Sequence, residues 1–179
     1  MKVFFATFFS LSFVFLLALG INCVYGYVFP IKFQDEVFAA SVSFDVKEEV
    51  IYSMINIESH FKNNVQSSKG ALGLMQIMPG TAQYLAAELG MKEYDLTNPQ
   101  DNILLGTYYI SILYKRFGDL DTALAAYNAG PTKVSAWLKD DRYSDDGKTL
   151  KDFPFEETKN YVEKFHINKN YYSKNLKIN

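Results

Sequence analysis

The sequence predicts an all-α, single-domain body behind an apolar N-terminal segment. Three observations carry that expectation. Apolar residues in the body recur at three- and four-residue spacing, the period of a helix face. Helix start and stop signals punctuate the chain, among them Asn98-Pro99 before one apolar run and Gly90, Gly118 and Gly130 after others. Strand-type alternation is absent throughout. A chain of 179 residues, 49% hydrophobic and 21% charged, can bury one core and does not have the composition of a disordered segment.

From the N-terminus, Met1-Lys2 precedes an uncharged apolar stretch from Val3 to Val24. It is long enough to cross a bilayer, which takes roughly 20 residues. Residues 1–26 therefore read as a signal peptide or an uncleaved membrane anchor. Both readings place the body outside the cytoplasmic membrane. Cys23 follows Asn22, where a lipidation motif has a small residue. Residues 27–45 form a lead-in with a short helix from Gln34 to Ser43, and the domain proper runs over 46–179. Asp45, with Glu48 three residues on, has the pattern of a capping box opening a helix to about His60. Asn63 to Gly73 is a polar, glycine-containing loop. Helices are then expected from Pro79 to Leu89, from Asn98-Pro99 to Gly118, from Asp121 to Ala129 and from Pro131 to Leu138. A charged loop, Asp140 to Phe153, precedes a last helix from Phe155 to Tyr172.

Composition excludes several chemistries. A net charge of −2 provides no basic field for nucleic acid. The single cysteine, Cys23, leaves the body without a thiolate nucleophile, a disulfide or a cysteine zinc site. His60 and His166 are too few for a histidine-rich metal site, and no G-x-S-x-G elbow accompanies them. The acidic cluster from Asp140 to Asp146 lacks the alternation of a calcium loop and reads as solvated. No metal and no cofactor are expected.

One residue stands out chemically. Ile51, Met54 and Ile55 precede Glu58 by seven, four and three residues, which puts a carboxylate on the apolar stripe of its helix. An unpaired charge there is costly. Burial favours the neutral carboxyl and makes it a usable general acid near neutral pH. The structural alternative is a half-buried glutamate paired with a lysine or capping a backbone end.

Around Glu58 lie four blocks. Glu58-Ser59 is followed by Ser67-Ser68-Lys69-Gly70-Ala71-Leu72-Gly73-Leu74-Met75-Gln76-Ile77-Met78-Pro79-Gly80-Thr81-Ala82. Next come Asn98-Pro99 with Asn102-Ile103, Gly106 and Tyr109. Ala125-Ala126-Tyr127-Asn128-Ala129-Gly130-Pro131 and Glu157-Thr158-Lys159-Asn160-Tyr161-Val162 complete the set. Together, in this order, they resemble the soluble lytic transglycosylases, lysozyme-like enzymes that act on peptidoglycan. The resemblance covers about residues 46 to 165. It implies a goose-type lysozyme-like helical domain that cleaves the β-1,4 bond between N-acetylmuramic acid and N-acetylglucosamine and leaves 1,6-anhydromuramoyl ends.

By the same resemblance Glu58 is the single catalytic acid/base. Ser67, Met75, Gln76 and Met78 contact substrate, as do Tyr127 and Asn128, and the Tyr161 hydroxyl bonds to Glu58. Leu74 and Met75 would wall the carboxyl with apolar surface. Read locally, Asn128 can equally satisfy a helix end, and Tyr161 fits the core with Phe165 four residues on. The expected partner is the peptidoglycan glycan strand, met by a monomer, with membrane attachment if the N-terminal segment stays uncleaved. Two alternatives stay open: a lysozyme-type muramidase using water on the same fold, and a non-catalytic peptidoglycan-binding module.

Overall fold

A computed structural model of the chain describes residues 24–176. The expected targeting segment lies mostly outside these residues. Among the described residues no helix is long and apolar enough to cross a membrane. The chain divides into two compact units, Met1–Ile31 and Lys32–Asn179. In the first, residues 24–28 are helical and the rings of Tyr25 and Phe29 stack with centroids 6.3 Å apart.

The second unit is built of seven helices among the described residues: α1 Gln34–Phe44, α2 Glu48–Ser59, α3 Pro79–Glu88, α4 Pro99–Phe117, α5 Leu120–Ala129, α6 Pro131–Trp137 and α7 Glu156–Asn175. Helix α5 is the hub, packed on α4, α6 and α7, while α2 lies along α7 and α1 along α4. The middle of α5 is Ala123, Leu124, Ala125 and Ala126, all fully buried. Three alanines in four positions let neighbouring backbones approach closely. Helix α1 belongs to this unit and buries Val37 and Ala40. Its Phe44 ring meets Tyr108 of α4 at 5.1 Å, so the compact body starts ahead of residue 46.

Several boundaries follow the sequence signals. The Asn98 side chain accepts from the backbone N–H of Gln100 at 2.8 Å and caps α4. Gly118, at φ 71°, ends it. Asp45 does not open α2. It sits in the left-handed region at φ 53° and closes α1, its N–H donating to Ser41 O. Helix α2 starts at Glu48 behind an extended Lys47, with no side-chain cap. Glu48 and Glu49 in its first turn still complement the helix dipole. Helix α5 begins earlier than expected, because the Asp119 carboxylate accepts from Thr122 N–H at 2.8 Å. Helix α7 continues beyond Tyr172, which is fully buried with its ring stacked on Tyr52 of α2 at 5.4 Å.

Between α2 and α3 the chain makes no regular strand. It folds into a compact loop closed by isolated antiparallel bridges Gln66–Leu72 and Leu72–Ile77. Asn102 of α4 is fully buried beneath it. Its Oδ1 accepts from Met75 N–H at 2.7 Å. Its Nδ2 donates to Leu72 O at 3.0 Å and Leu96 O at 2.9 Å. Gly73, at φ 80°, has no room for a side chain, since a Cβ there would lie 2.2 Å from Leu96 O. One amide thus fastens the glycine-rich loop to the core.

Candidate active site

Glu58 occupies the last turn of α2. The next residue, Ser59, donates from Oγ to Leu74 O at 2.8 Å and ties that turn to the glycine-rich loop. The helix then closes at His60, in the left-handed region at φ 51°, with its Nδ1 2.7 Å from Asn56 Oδ1. From α7, the Tyr161 hydroxyl donates to Glu58 Oε1 at 2.8 Å. Part of Glu58 stays accessible, but protein encloses its carboxyl on most sides. Loss of solvation raises its pKa to about 7, and the bond from Tyr161 pulls in the opposite direction. Among the described residues no cation forms an ion pair with this carboxyl. Burial, reinforced by the Glu58 charge, holds the Tyr127 and Tyr161 hydroxyls well above the ordinary tyrosine pKa. Both therefore remain proton donors near neutral pH. The arrangement can hold a proton on Glu58 at neutral pH and release or recover it with little reorganisation.

A cleft of about 550 Å³ opens beside this group. The loop contributes Lys69, Gln76, Ile77 and Met78; α5 contributes Tyr127 and Asn128; the start of α7 contributes Glu157 and Thr158. Glu58 is not itself among the lining residues of this cleft. Tyr127 bridges the two regions: its ring lines the cleft and its hydroxyl donates to Met75 O at 2.8 Å.

The expected contact residues separate into two groups. Met78 is exposed and lines the cleft, as do Gln76, Tyr127 and Asn128. Gln76 holds a left-handed φ of 47°, stabilised by its own amide, whose Nε2 donates to Val65 O at 3.0 Å and Gly73 O at 2.8 Å. What it can offer a ligand is its amide oxygen. Asn128 does not serve the end of α5, where Gly130 N–H bonds to Ala126 O. Its Oδ1 accepts instead from Thr158 Oγ1 at 2.9 Å, which orients the amide at the cleft wall. Met75 and Ser67 sit elsewhere. Met75 is fully buried under the loop, and its sulfur packs against Gly106, where an added Cβ would lie 2.5 Å away. Its side chain forms the floor beneath the loop and is absent from the lining of this cleft. Ser67 is absent from the lining of this cleft and braces a turn, its Oγ accepting from Ala71 N–H at 3.0 Å.

The Transglycosylase SLT domain family model matches residues 35–150. The chain belongs to that family. It is 35% identical over 141 residues to the soluble lytic murein transglycosylase of Salmonella typhimurium. That alignment takes in 75% of this chain and 22% of the Salmonella protein, so the chain spans less than a quarter of that relative's length. The crystal structure of the 70 kDa soluble lytic transglycosylase of Escherichia coli superposes with TM-score 0.70 at 32% identity, over 80% of this chain and 24% of the other. An inactive glutamate-to-glutamine mutant of lytic transglycosylase Slt from Pseudomonas aeruginosa superposes with TM-score 0.75 at 31% identity, over 86% and 26%. The all-α architecture is thus the one these transglycosylases share. The family match stops ahead of α7, the helix that brings Tyr161 to Glu58.

Some residues of this SLT-domain site escaped the sequence reading. Thr158 orients Asn128, and its place in the Glu157–Val162 block was the available signal. Phe155 lines the cleft and packs on Trp137 at 5.6 Å, with Lys133 Nζ 6.0 Å from its ring. Nothing local to either residue points there, because the contact joins α6 to the start of α7. His166 is exposed and lies 2.8 Å from Asp121. The acidic loop is internally satisfied: Arg142 pairs with Asp140, and Asp146 accepts from Lys148 and Thr149 N–H at 2.8 Å each. Among the described residues no group of three or more metal-ligating side chains is placed to hold an ion.

Proposed function

We propose that this chain is an extracytoplasmic lytic transglycosylase, with Glu58 as its single acid and base. Its substrate is the β-1,4 bond between N-acetylmuramic acid and N-acetylglucosamine in peptidoglycan. The observation that carries the reading is the pairing of a carboxyl raised to about 7 with a tyrosine hydroxyl 2.8 Å away, beside a cleft. A neutral Glu58 donates its proton to the bridging oxygen as the bond to muramoyl C1 breaks. The resulting carboxylate takes the proton of the muramoyl C6 hydroxyl, whose oxygen bonds to C1. Glu58 ends protonated, no water is consumed, and a 1,6-anhydro ring closes the new end. Most glycosidases that use water need a second carboxylate at a set separation. An internal nucleophile removes that requirement, and among the described residues no other carboxyl is paired to Glu58. Met78, Gln76, Tyr127 and Asn128 would seat the glycan, and Tyr161 would position the carboxyl. Residues 1–26 would direct export or hold the body at the membrane.

The test is mass spectrometry of peptidoglycan digested by the purified chain. Anhydromuramoyl ends, lighter by one water than hydrolysed ends, are the expected product. Glu58→Gln should abolish their release while retaining binding to insoluble peptidoglycan. Hydrolysed ends alone would replace the reading with a muramidase. Binding without any cleavage by either protein would reduce it to a glycan-binding module.

A further inference from the structure

Helix α1 carries apolar side chains on its outer face as well as its inner one. Val37 and Ala40 are buried in the body, while Phe38 and Val42, one turn apart, are 60% and 68% exposed. Ala39 and Ser43 are exposed beside them, and the Ser43 hydroxyl is spent locally, donating to Ala39 O at 2.7 Å. The helix keeps its charges, Asp35 and Glu36, in its first turn. Its last two turns therefore present solvent with a stripe that holds no charge. Val42, Ser43 and Phe44 then border a shallow groove of about 330 Å³, lined by one cation, Lys115, and one anion, Asp45. Asp45 and Val46 also border a neighbouring groove with Leu120, the first residue of α5, and Lys169. The cleft is built at the other end of α5, from Tyr127 and Asn128. The end of α1 and the cleft thus lie toward opposite ends of the hub helix.

The chain ahead of α1 indicates what covers this stripe. The run from Val3 to Val24 carries no charge and is long enough to cross a bilayer, which takes roughly 20 residues. Residues 25–33 connect it to α1, and a connection of that length reaches at most roughly 30 Å when fully extended. An anchored body therefore cannot carry α1 farther than that from the lipid surface, and the tether raises the effective concentration of the one for the other. Tyr25 and Tyr27, 48% and 75% exposed just past the run, are of the residue type that settles at a membrane–water interface. We infer that the Phe38–Val42 stripe is a membrane-docking surface, which inserts its apolar side chains at the headgroup and acyl boundary of the bilayer that holds the N-terminal run. With Lys115 offset by Asp45 beside the stripe, a zwitterionic phospholipid is sufficient. Docked by this end, the body turns its cleft away from the lipid and leaves it open to glycan strands. The inference rests on residues 1–26 holding the body at the membrane, as proposed above.

The experiment reconstitutes the full chain, with Cys23→Ser, into phosphatidylcholine vesicles. A nitrobenzoxadiazole label is attached through Ala39→Cys on the stripe or, as the control, through Thr132→Cys, an exposed position of α6 between two residues that line the cleft. On reconstitution the label at position 39 should shift to the blue, brighten several-fold and be quenched by lipids that carry a nitroxide near the headgroup. The label at position 132 should show none of these changes. Phe38→Ser combined with Val42→Ser should return the label at position 39 to its aqueous emission. The melting temperature and the flotation of the protein with the vesicles should stay unchanged, since both side chains are exposed. If the chain floats but the label at position 39 stays aqueous, or behaves like the one at 132, the docking surface is overturned while the anchor stands. A signal at position 39 that vanishes as the protein is diluted into more lipid marks a second copy of the chain on the stripe and overturns the proposal too. If the chain does not float with the vesicles, the anchor reading itself has failed and the docking with it.

Discussion

At the scale of single residues, the proposed chemistry depends on where one proton sits. Desolvation and the Tyr161 bond act on Glu58 in opposite directions, and desolvation wins. Donation by Glu58 needs the neutral form, so kcat/KM should fall on the alkaline side of about pH 7, approaching tenfold per pH unit. Tyr161→Phe removes the interaction that favours the carboxylate. The alkaline limb should therefore move to higher pH while the maximal rate drops, as the carboxyl loses the contact that orients it. A pH profile of both proteins on soluble glycan strands measures both effects. A limb that stays in place in the variant would show that the hydroxyl does not act on this carboxyl.

At the scale of elements, the glycine-rich loop closes on its own hydrogen bonds and is fastened to the core by Asn102 beneath it. That side chain satisfies Met75 N–H and two carbonyls from a fully buried position. Replacement by alanine takes the partner from two buried groups, Met75 N–H and Leu96 O, each costing about 1–3 kcal/mol, while Leu72 O keeps its bond from Ile77 N–H. Asn102→Ala should thus destabilise the body by about 2 kcal/mol or more, read as a lower melting temperature. Activity should fall even well below that temperature, because Gln76 and Met78 ride on the same loop. A variant that melts like wild type would mean the loop is held by other contacts.

At the scale of the whole molecule, the same carboxyl that would serve catalysis opposes folding. Unfolded, Glu58 ionises near 4.5; folded, it ionises near 7. Between those values the native state binds more protons than the unfolded state, so stability falls as pH rises through that window and levels off above it. The shift corresponds to up to about 3 kcal/mol. Glu58→Gln, which cannot ionise, should melt higher than wild type at pH 8 and close to it at pH 4.5. Paired thermal melts at the two pH values test this, and an equal difference at both would refute the linkage. Helix α7 belongs to the same scale. It carries Tyr161 and Thr158 to the site and lies along α2, although the family match ends before it.

The fold class, the helix order and the chemical oddity of Glu58 could be read from the residues, because helical period, proline starts and glycine stops are local signals. Asn98 caps α4 where its sequence says it should. Asp45 was misread because the same residue type fits the end of one helix and the start of the next, and backbone angles alone separate the two. The places of Met75 and Ser67 were also beyond local reading. Both sit inside a matching block, yet one is floor and the other a turn brace.

The sequence by itself determined that a carboxyl would lie on an apolar helix face, since the periodicity of the chain leaves it no other. Only the tertiary structure decided what that carboxyl meets. The bond to Tyr161, the tether through Ser59 and the Thr158 contact to Asn128 each join segments far apart in the chain. Such contacts depend on how helices pack, and no local pattern encodes that distance.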